Sequence, residues 1–151
     1  MLELAREGDW EAVRRLSVQI HDLHASWRPD IYFHVDAPYP KEKFFEDIAR
    51  RMVYVAKISG NVVGYVILCT LDKIAPGTAT HKLMRLDSIC VDEAIRGHGI
   101  GKNMMTDVRA LAKAFGCDGL ILGVHPENDD AIGFYQKCGF TIRTINMEMK
   151  L

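Results

Sequence analysis

The sequence predicts an α/β protein of the α+β kind, with a mixed, mostly antiparallel central sheet and helices on both faces. Three observations carry that reading. Strand and helix periodicities follow one another in the order β-α-α-β-β-β-α-β-α-β(β). A tight turn, Ser59-Gly60-Asn61, joins two neighbouring apolar runs, as in adjacent antiparallel strands. A glycine-rich loop, Arg96-Gly97-His98-Gly99-Ile100-Gly101-Lys102, links an apolar strand to an amphipathic helix.

Residues 1–5 read as a short strand. Gly8-Asp9 opens a helix with Asp9 as its N-cap, and Val13, Leu16, Ile20 and Leu23 recur at helical spacing. The proline- and aromatic-rich stretch from Trp27 to Pro40 reads as an ordered loop, and a second helix spans Lys41 to Arg51. Met52–Ile58 and Val62–Leu71 are strands rich in valine, isoleucine and tyrosine. Asp72–Lys82, with Pro76-Gly77, is a loop, and Met84–Val91 is the next strand. The helix behind the glycine loop runs from Gly99 to Phe115, with Ile100, Met104, Val108, Leu111, Ala112 and Phe115 on one face and Gly116 placed to end it. Leu120–Val124 is a buried-type strand. Asn128 to Cys138 is helical, with Ala131, Phe134, Tyr135 and Cys138 on one side, and Gly139 stops it. Strand residues follow between Phe140 and Met149.

The 151 residues, 48% hydrophobic and 26% charged, fit one domain over 1–151, since roughly 100–200 residues per domain is usual. A net charge of −1 argues against a protein living on nucleic-acid phosphates, which needs a clustered excess of Lys and Arg. Cys69, Cys90, Cys117 and Cys138 form no C-x-x-C pair and sit in apolar stretches, as reduced core thiols do. The start, Met1-Leu2-Glu3-Leu4-Ala5-Arg6-Glu7, has no signal-peptide pattern. No apolar run approaches the ~20 residues that cross a bilayer. A soluble, cytoplasmic protein is the expectation, with no membrane partner.

The glycine loop turns backbone N–H groups toward one point, and the following helix N-terminus adds partial positive charge there. That is a site for an anion, most often a phosphate, although a glycine-rich turn also serves as a plain connector. The P-loop spacing fails, because its first glycine would fall at Arg96 and its Ser/Thr at Asn103. The dinucleotide spacing fails too, since it needs glycine at Lys102 or Met104. What fits is R-x-x-G-x-G, from Arg96 through Gly99 to Gly101, after Ile89-Cys90-Val91.

Downstream lies a second pattern, Val124-x-x-x-Asn128-x-x-Ala131-x-x-Phe134-Tyr135-x-Lys137-x-Gly139-Phe140. The two patterns, in this order behind two neighbouring strands, resemble the acyl-coenzyme-A loop and the following block of the GNAT N-acetyltransferase superfamily. The resemblance is specific over Leu86–Phe140 and topological before it. It implies the GNAT fold, with a V-shaped splay between the strands ending near Val91 and Val124. It implies acetyl-CoA as co-substrate. Ile89, Cys90 and Val91 would hold the pantetheine and acetyl groups by backbone bonds. Arg96, Gly97, His98, Gly99, Ile100, Gly101 and Lys102 would hold the diphosphate. Asn128 would bond the pantetheine arm or fix its loop. Homodimers are frequent in the family.

Moving acetyl from a thioester to an amine needs a neutral amine, donors for the oxyanion and a proton for the leaving thiolate. The resemblance assigns the proton to Tyr135 and the oxyanion donor to the backbone near Val91. The other reading of Tyr135 is a helix-face aromatic beside Phe134, and the motif match favours the acid role. Asp87 shares strand parity with Ile89 and Val91, which would put all three on one side and make Asp87 a candidate base. A solvent-facing or salt-bridged aspartate is the other reading. Protein N-terminus acetyltransferases of the family commonly carry glutamate five residues before the asparagine, and here that position is Gly123.

His125 could reach the acceptor end, with His34 and His81 as further lining, while surface roles fit each. His21 and His24, three apart on a helix, have no third ligand and no H-E-x-x-H pattern, so no metal is expected. Trp27, Tyr32, Phe33, Tyr39, Phe44 and Phe45 supply aromatic surface for an acceptor pocket or packing between helices. The expected activity is transfer of acetyl from acetyl-CoA to a primary amine by direct attack. The alternatives are a protein or peptide acetyltransferase and a non-catalytic acyl-CoA-binding module.

Overall fold

β2 (Val53–Ile58) and β3 (Asn61–Lys73) meet through the two-residue turn Ser59-Gly60, because Ile58 pairs with Asn61. Both turn residues take positive φ, 50° and 81°, which suits the right-handed twist of a hairpin. The computed structural model describes residues 1–73, 77, 79 and 81–151. With β1 (Leu2–Leu4), β4 (His81–Val91) and β5 (Gly119–Leu122), these strands form a sheet ordered β1-β2-β3-β4-β5. Every pairing is antiparallel except β4–β5, which is parallel.

Alternation along the strands feeds two cores. Val53, Val55, Tyr65 and Cys90 point toward α1 (Trp10–Trp27) and α2 (Lys41–Ala49), packing with Trp10, Val13, Leu16 and Phe44. Tyr54, Val66, Met84 and Leu86 point the other way. They pack against Met104, Met105 and Val108 of α3 (Ile100–Ala114) and the apolar side of α4 (Asp129–Lys137). Gly64 sets how closely α3 approaches. A Cβ there would lie 2.7 Å from the Cys90 carbonyl oxygen and 2.9 Å from the Met104 sulfur, a space only glycine leaves open.

Four expectations change. A 3₁₀ turn at Glu7–Asp9 precedes α1, and the Asp9 carboxylate does not cap the helix. It accepts the Arg6 N–H at 2.8 Å and pairs with Lys57 at 2.9 Å instead. Leu23, expected on the buried face, is exposed. β3 and β4 reach further than their apolar runs, to Lys73 and from His81, and residues 74–76, 78 and 80 of the expected loop lie outside the described residues. The strand expected between Phe140 and Met149 is not formed. Ile142, Ile145, Met147 and Met149 stand 75%, 77%, 93% and 84% exposed. Alternation supplies a strand with a face, but a strand exists only where a neighbour accepts its hydrogen bonds.

Candidate active site

β4 and β5 pair only from Leu83 to Leu86 and from Gly119 to Leu122. Beyond that, β4 continues to Val91 bonded to β3 alone, with Ile67 opposite Ser88 and Gly64 opposite Val91. The strands therefore part, and the backbone of Ile89, Cys90 and Val91 has no strand partner on the side facing the gap. An extended, amide-bearing arm can add itself there as a strand would. The splay that the sequence patterns imply is present at the expected place.

The glycine loop closes the end of the gap. Asp92 starts a 3₁₀ turn, Glu93–Ile95, and its carboxylate accepts the Ala94 N–H. Gly97 and Gly99 take φ of +86° and +78°, which L-residues rarely adopt. Gly99 is the N-cap of α3 and offers no side chain to its first amides, so those N–H groups face outward. The Arg96 guanidinium donates to the Val91 carbonyl at 2.9 Å, tying the loop to the strand. His98 donates through Nδ1 to the Ile95 and Arg96 carbonyls, both at 3.1 Å, so its ring braces the loop. Arg96 and Lys102 are exposed, and neither forms an ion pair among the described residues. Open amides, two cations and a helix N-terminus fit a diphosphate.

α4 forms the other wall. Asn128 caps it, its side-chain oxygen accepting the Ala131 N–H at 3.1 Å. Phe134 lies 3.5 Å from where a Cβ on Gly101 would sit, so α4 packs directly on the start of α3. The Tyr135 ring follows, 5.4 Å from Phe134 and 5.8 Å from Phe140. Burial, then the nearby Cys138, push the Tyr135 hydroxyl up to about 12. It stays protonated at neutral pH, as a proton donor must. The Cys90 thiol is likewise pushed up by burial, to about 11, which leaves it a poor nucleophile.

Asp87 is not where strand parity puts it. Ile67 pairs with Ser88 and Leu68 with Leu86, so Asp87 is the extra residue of a β-bulge. The bulge reverses the alternation. Ile89 and Val91 pack toward α3 and α4, whereas the Asp87 charge is felt by Tyr39, which packs with α2. The Asp87 carboxylate is bonded by the Arg85 guanidinium, through Nε and at 3.3 Å through Nη2.

α1 spans the mouth of the splay. Arg15 pairs with Asp92 at 2.6 Å, and Gln19 bonds both the Asp92 carboxylate and the Glu93 N–H, at the end of β4. At its far end, Trp27 stacks on His125, beyond β5, at 5.3 Å and 15°. His24 completes the bridge, 5.7 Å from Trp27, 5.8 Å from Tyr32 and 6.5 Å from His125. Burial, followed by His125 and His21, lowers the His24 pKa, so its ring is neutral. Sequence reasoning named His125, Trp27 and Tyr32 separately and had no signal for His24 beside them. The other expected lining residues go elsewhere. Phe44 is fully buried, Tyr39 and Phe45 pack against it, and Phe33 is exposed. His34 is held by Asp22 at 2.8 Å, and His81 begins β4, at the end away from the mouth. Among the described residues, no group of three or more His, Cys, Asp or Glu is arranged to hold a metal ion.

The comparisons agree with this geometry. The family model described as "Acetyltransferase (GNAT) family" matches residues 18–140. A glucosamine 6-phosphate N-acetyltransferase of Trypanosoma brucei brucei is 27% identical over 110 residues, 70% of this chain and 71% of that protein. The N-alpha-acetyltransferase RimI of Mycobacterium tuberculosis is 30% identical over 108 residues, 70% of this chain and 63% of that protein. The crystal structure of a mutant BH1408 protein from Bacillus halodurans superposes with a TM-score of 0.95 at 26% identity, covering 100% of this chain and 99% of that one. The chain belongs to the GNAT acetyltransferase family. It is an acetyl-CoA-dependent N-acetyltransferase. Among the described residues, no helix is long and apolar enough to cross a membrane.

Proposed function

We propose that residues 1–151 act as one domain that moves acetyl from acetyl-CoA to a primary amine by direct attack. The observation that carries this reading is the gap that opens after Leu86 and Leu122, with the glycine loop at its end and protonated Tyr135 on its wall. The amides of residues 96–102, with Arg96 and Lys102, hold the diphosphate. The backbone edge of Ile89, Cys90 and Val91, which has no strand partner there and whose Val91 carbonyl is held by Arg96, aligns the pantetheine arm, and an amide near Val91 stabilises the oxyanion. The amine attacks the thioester carbonyl, the C–S bond breaks as the tetrahedral intermediate collapses, Tyr135 protonates the departing sulfur, and the proton that the amide nitrogen sheds returns through water to the Tyr135 oxygen. The inert Cys90 thiol argues against an acetyl-cysteine intermediate. Asp87, on the α1–α2 side, takes the proton from the incoming ammonium, directly or through water.

The acceptor enters under the Trp27–His125 bridge, whose aromatic faces suit a cationic amine. The four free cysteines suit a reducing cytoplasm. A free-thiol release assay over a panel of amino sugars, polyamines and peptide amines tests the reading. Amine-dependent thiol release is expected. Tight acetyl-CoA binding with no release for any amine would overturn it.

A further inference from the structure

Past Leu86, where β4 and β5 part, β4 carries two side chains with polar oxygens, Asp87 and Ser88. We propose that Ser88 touches the acceptor amine, its Oγ accepting an N–H and so aiming the nitrogen lone pair at the thioester, and that Tyr65 is the positioning residue that holds Ser88 for this. The proposal rests on the acetyl-transfer reading above and adds to it the group that orients the nucleophile.

Ser88 lies on the side of the sheet that faces α1 and α2. The β3–β4 register runs unbroken from the Ile67–Ser88 pair to the Gly64–Val91 pair, so Ser88 and Cys90 share a face. Cys90 packs toward α1 and α2, and so does Ile67, the partner of Ser88. Ser88 is half-buried and directly precedes Ile89, the first residue of the edge assigned to the pantetheine arm. The Cys90 thiol on the same face is 4% exposed and donates to the Val91 carbonyl at 3.5 Å, so it offers the gap no polar group.

Tyr65 stands opposite Cys90 and reaches diagonally to Ser88, its hydroxyl 2.9 Å from the Ser88 Oγ. The ring is enclosed, 2% exposed, and burial keeps the phenol protonated. Of the two hydroxyls the phenol is the more acidic and the stronger donor, so Tyr65 donates and Ser88 accepts. That bond fixes the Ser88 side chain and leaves it one lone pair and its own proton for the gap. The Tyr39 hydroxyl, which donates to Asp47 at 2.8 Å, lies in the field of both Tyr65 and Asp87. The Tyr65–Ser88 pair and Asp87 therefore share one neighbourhood. An ammonium entering there can give one N–H to Ser88 and another to Asp87. Asp87 takes its proton, Ser88 keeps hold of the other N–H, and the lone pair freed on nitrogen is fixed in direction. No proton changes owner at Ser88.

Kinetics with glucosamine, spermidine and a lysine peptide as probe amines test this. For an amine that the parent acetylates, Ser88→Ala should lower kcat/KM about tenfold, the size of one lost neutral hydrogen bond, and leave the Kd of coenzyme A unchanged. Ser88→Thr keeps the hydroxyl and should restore most of the loss. Tyr65→Phe keeps the ring in the core and should lower kcat/KM in the same direction, and adding it to Ser88→Ala should give no further loss. A merely structural pair would instead give additive losses that follow the melting temperature, with coenzyme affinity falling alongside. An unchanged kcat/KM in Ser88→Ala, or additive losses in the double variant, would overturn the proposal and leave the acetyl-transfer reading standing. No thiol release by the parent with any of the three amines would count against that reading itself and take the proposal with it.

Discussion

Gly99 allows backbone strain and charge to be separated at the anion site. Its φ is +78°, and a Cβ built on it meets nothing within 4 Å. Alanine and glutamate both fit, and both carry the same left-handed strain, about 1–2 kcal/mol. The strain is present with and without ligand, so it lowers stability and leaves affinity alone. At roughly 2–4 °C per kcal/mol for a chain of this size, both variants should melt about 2–8 °C lower. Glutamate also brings a carboxylate to the loop. At about 6 Å from a diphosphate and an effective dielectric of about 40, each pair of charges costs ~1.4 kcal/mol. Two diphosphate charges make about 3 kcal/mol, roughly a hundredfold in Kd. Calorimetric titration of coenzyme A should therefore give Gly99→Ala an affinity within a few-fold of the parent and Gly99→Glu one about a hundredfold weaker. The gap should narrow at about 0.5 M salt, because these charges are exposed. Equal affinities for the two variants would refute the diphosphate assignment.

Tyr135→Phe should lower kcat by about 10²–10⁴ and leave coenzyme affinity unchanged. With the hydroxyl pushed up to about 12, the parent enzyme should show no falling limb of kcat from this group up to about pH 10. An unchanged kcat in the variant removes Tyr135 as the acid. Asp87→Asn should abolish the rising limb of the pH–rate profile, and an unaltered profile would move the base to His24 or His125. His24 binds a proton less readily folded than unfolded, so its contribution to stability is present above the ordinary histidine value of 6.5 and is lost as pH falls toward the lower folded value. Urea unfolding at about pH 7 and about pH 5 should show a smaller acid loss for His24→Gln than for the parent. Equal losses would contradict the burial of this ring.

Much of the fold is legible locally. Ser59-Gly60 marks its hairpin because two adjacent positive-φ residues suit few other settings. Gly116 and Gly139 mark helix ends for the same backbone reason, at φ of +70° and +92°. The Asn128 cap and the apolar side of α4 follow from spacing along one helix. The limits of such reasoning appear at Asp87 and Asp9. Parity counting assumes an unbroken ladder, and the β3–β4 register inserts a bulge at Asp87 that no residue pattern announces. Asp9 has the side chain of a cap, but Lys57 on β2 and the Arg6 amide draw it away.

The sequence by itself determines the family and the donor, because the features proposed to hold acetyl-CoA are contiguous: one glycine loop, one strand edge, one helix. Each depends on backbone conformation and periodicity over a few residues, which side-chain identity controls directly. Only the tertiary structure decides what meets the donor. Trp27, His24 and His125 come together because α1 is anchored at Asp92 and crosses to the end of β5. Asp87 changes face because of strand register, and 141–151 forms no ladder with its own sheet. These are contacts between elements distant in the chain. They follow from how faces pack and strands align, and no short stretch of residues contains that information.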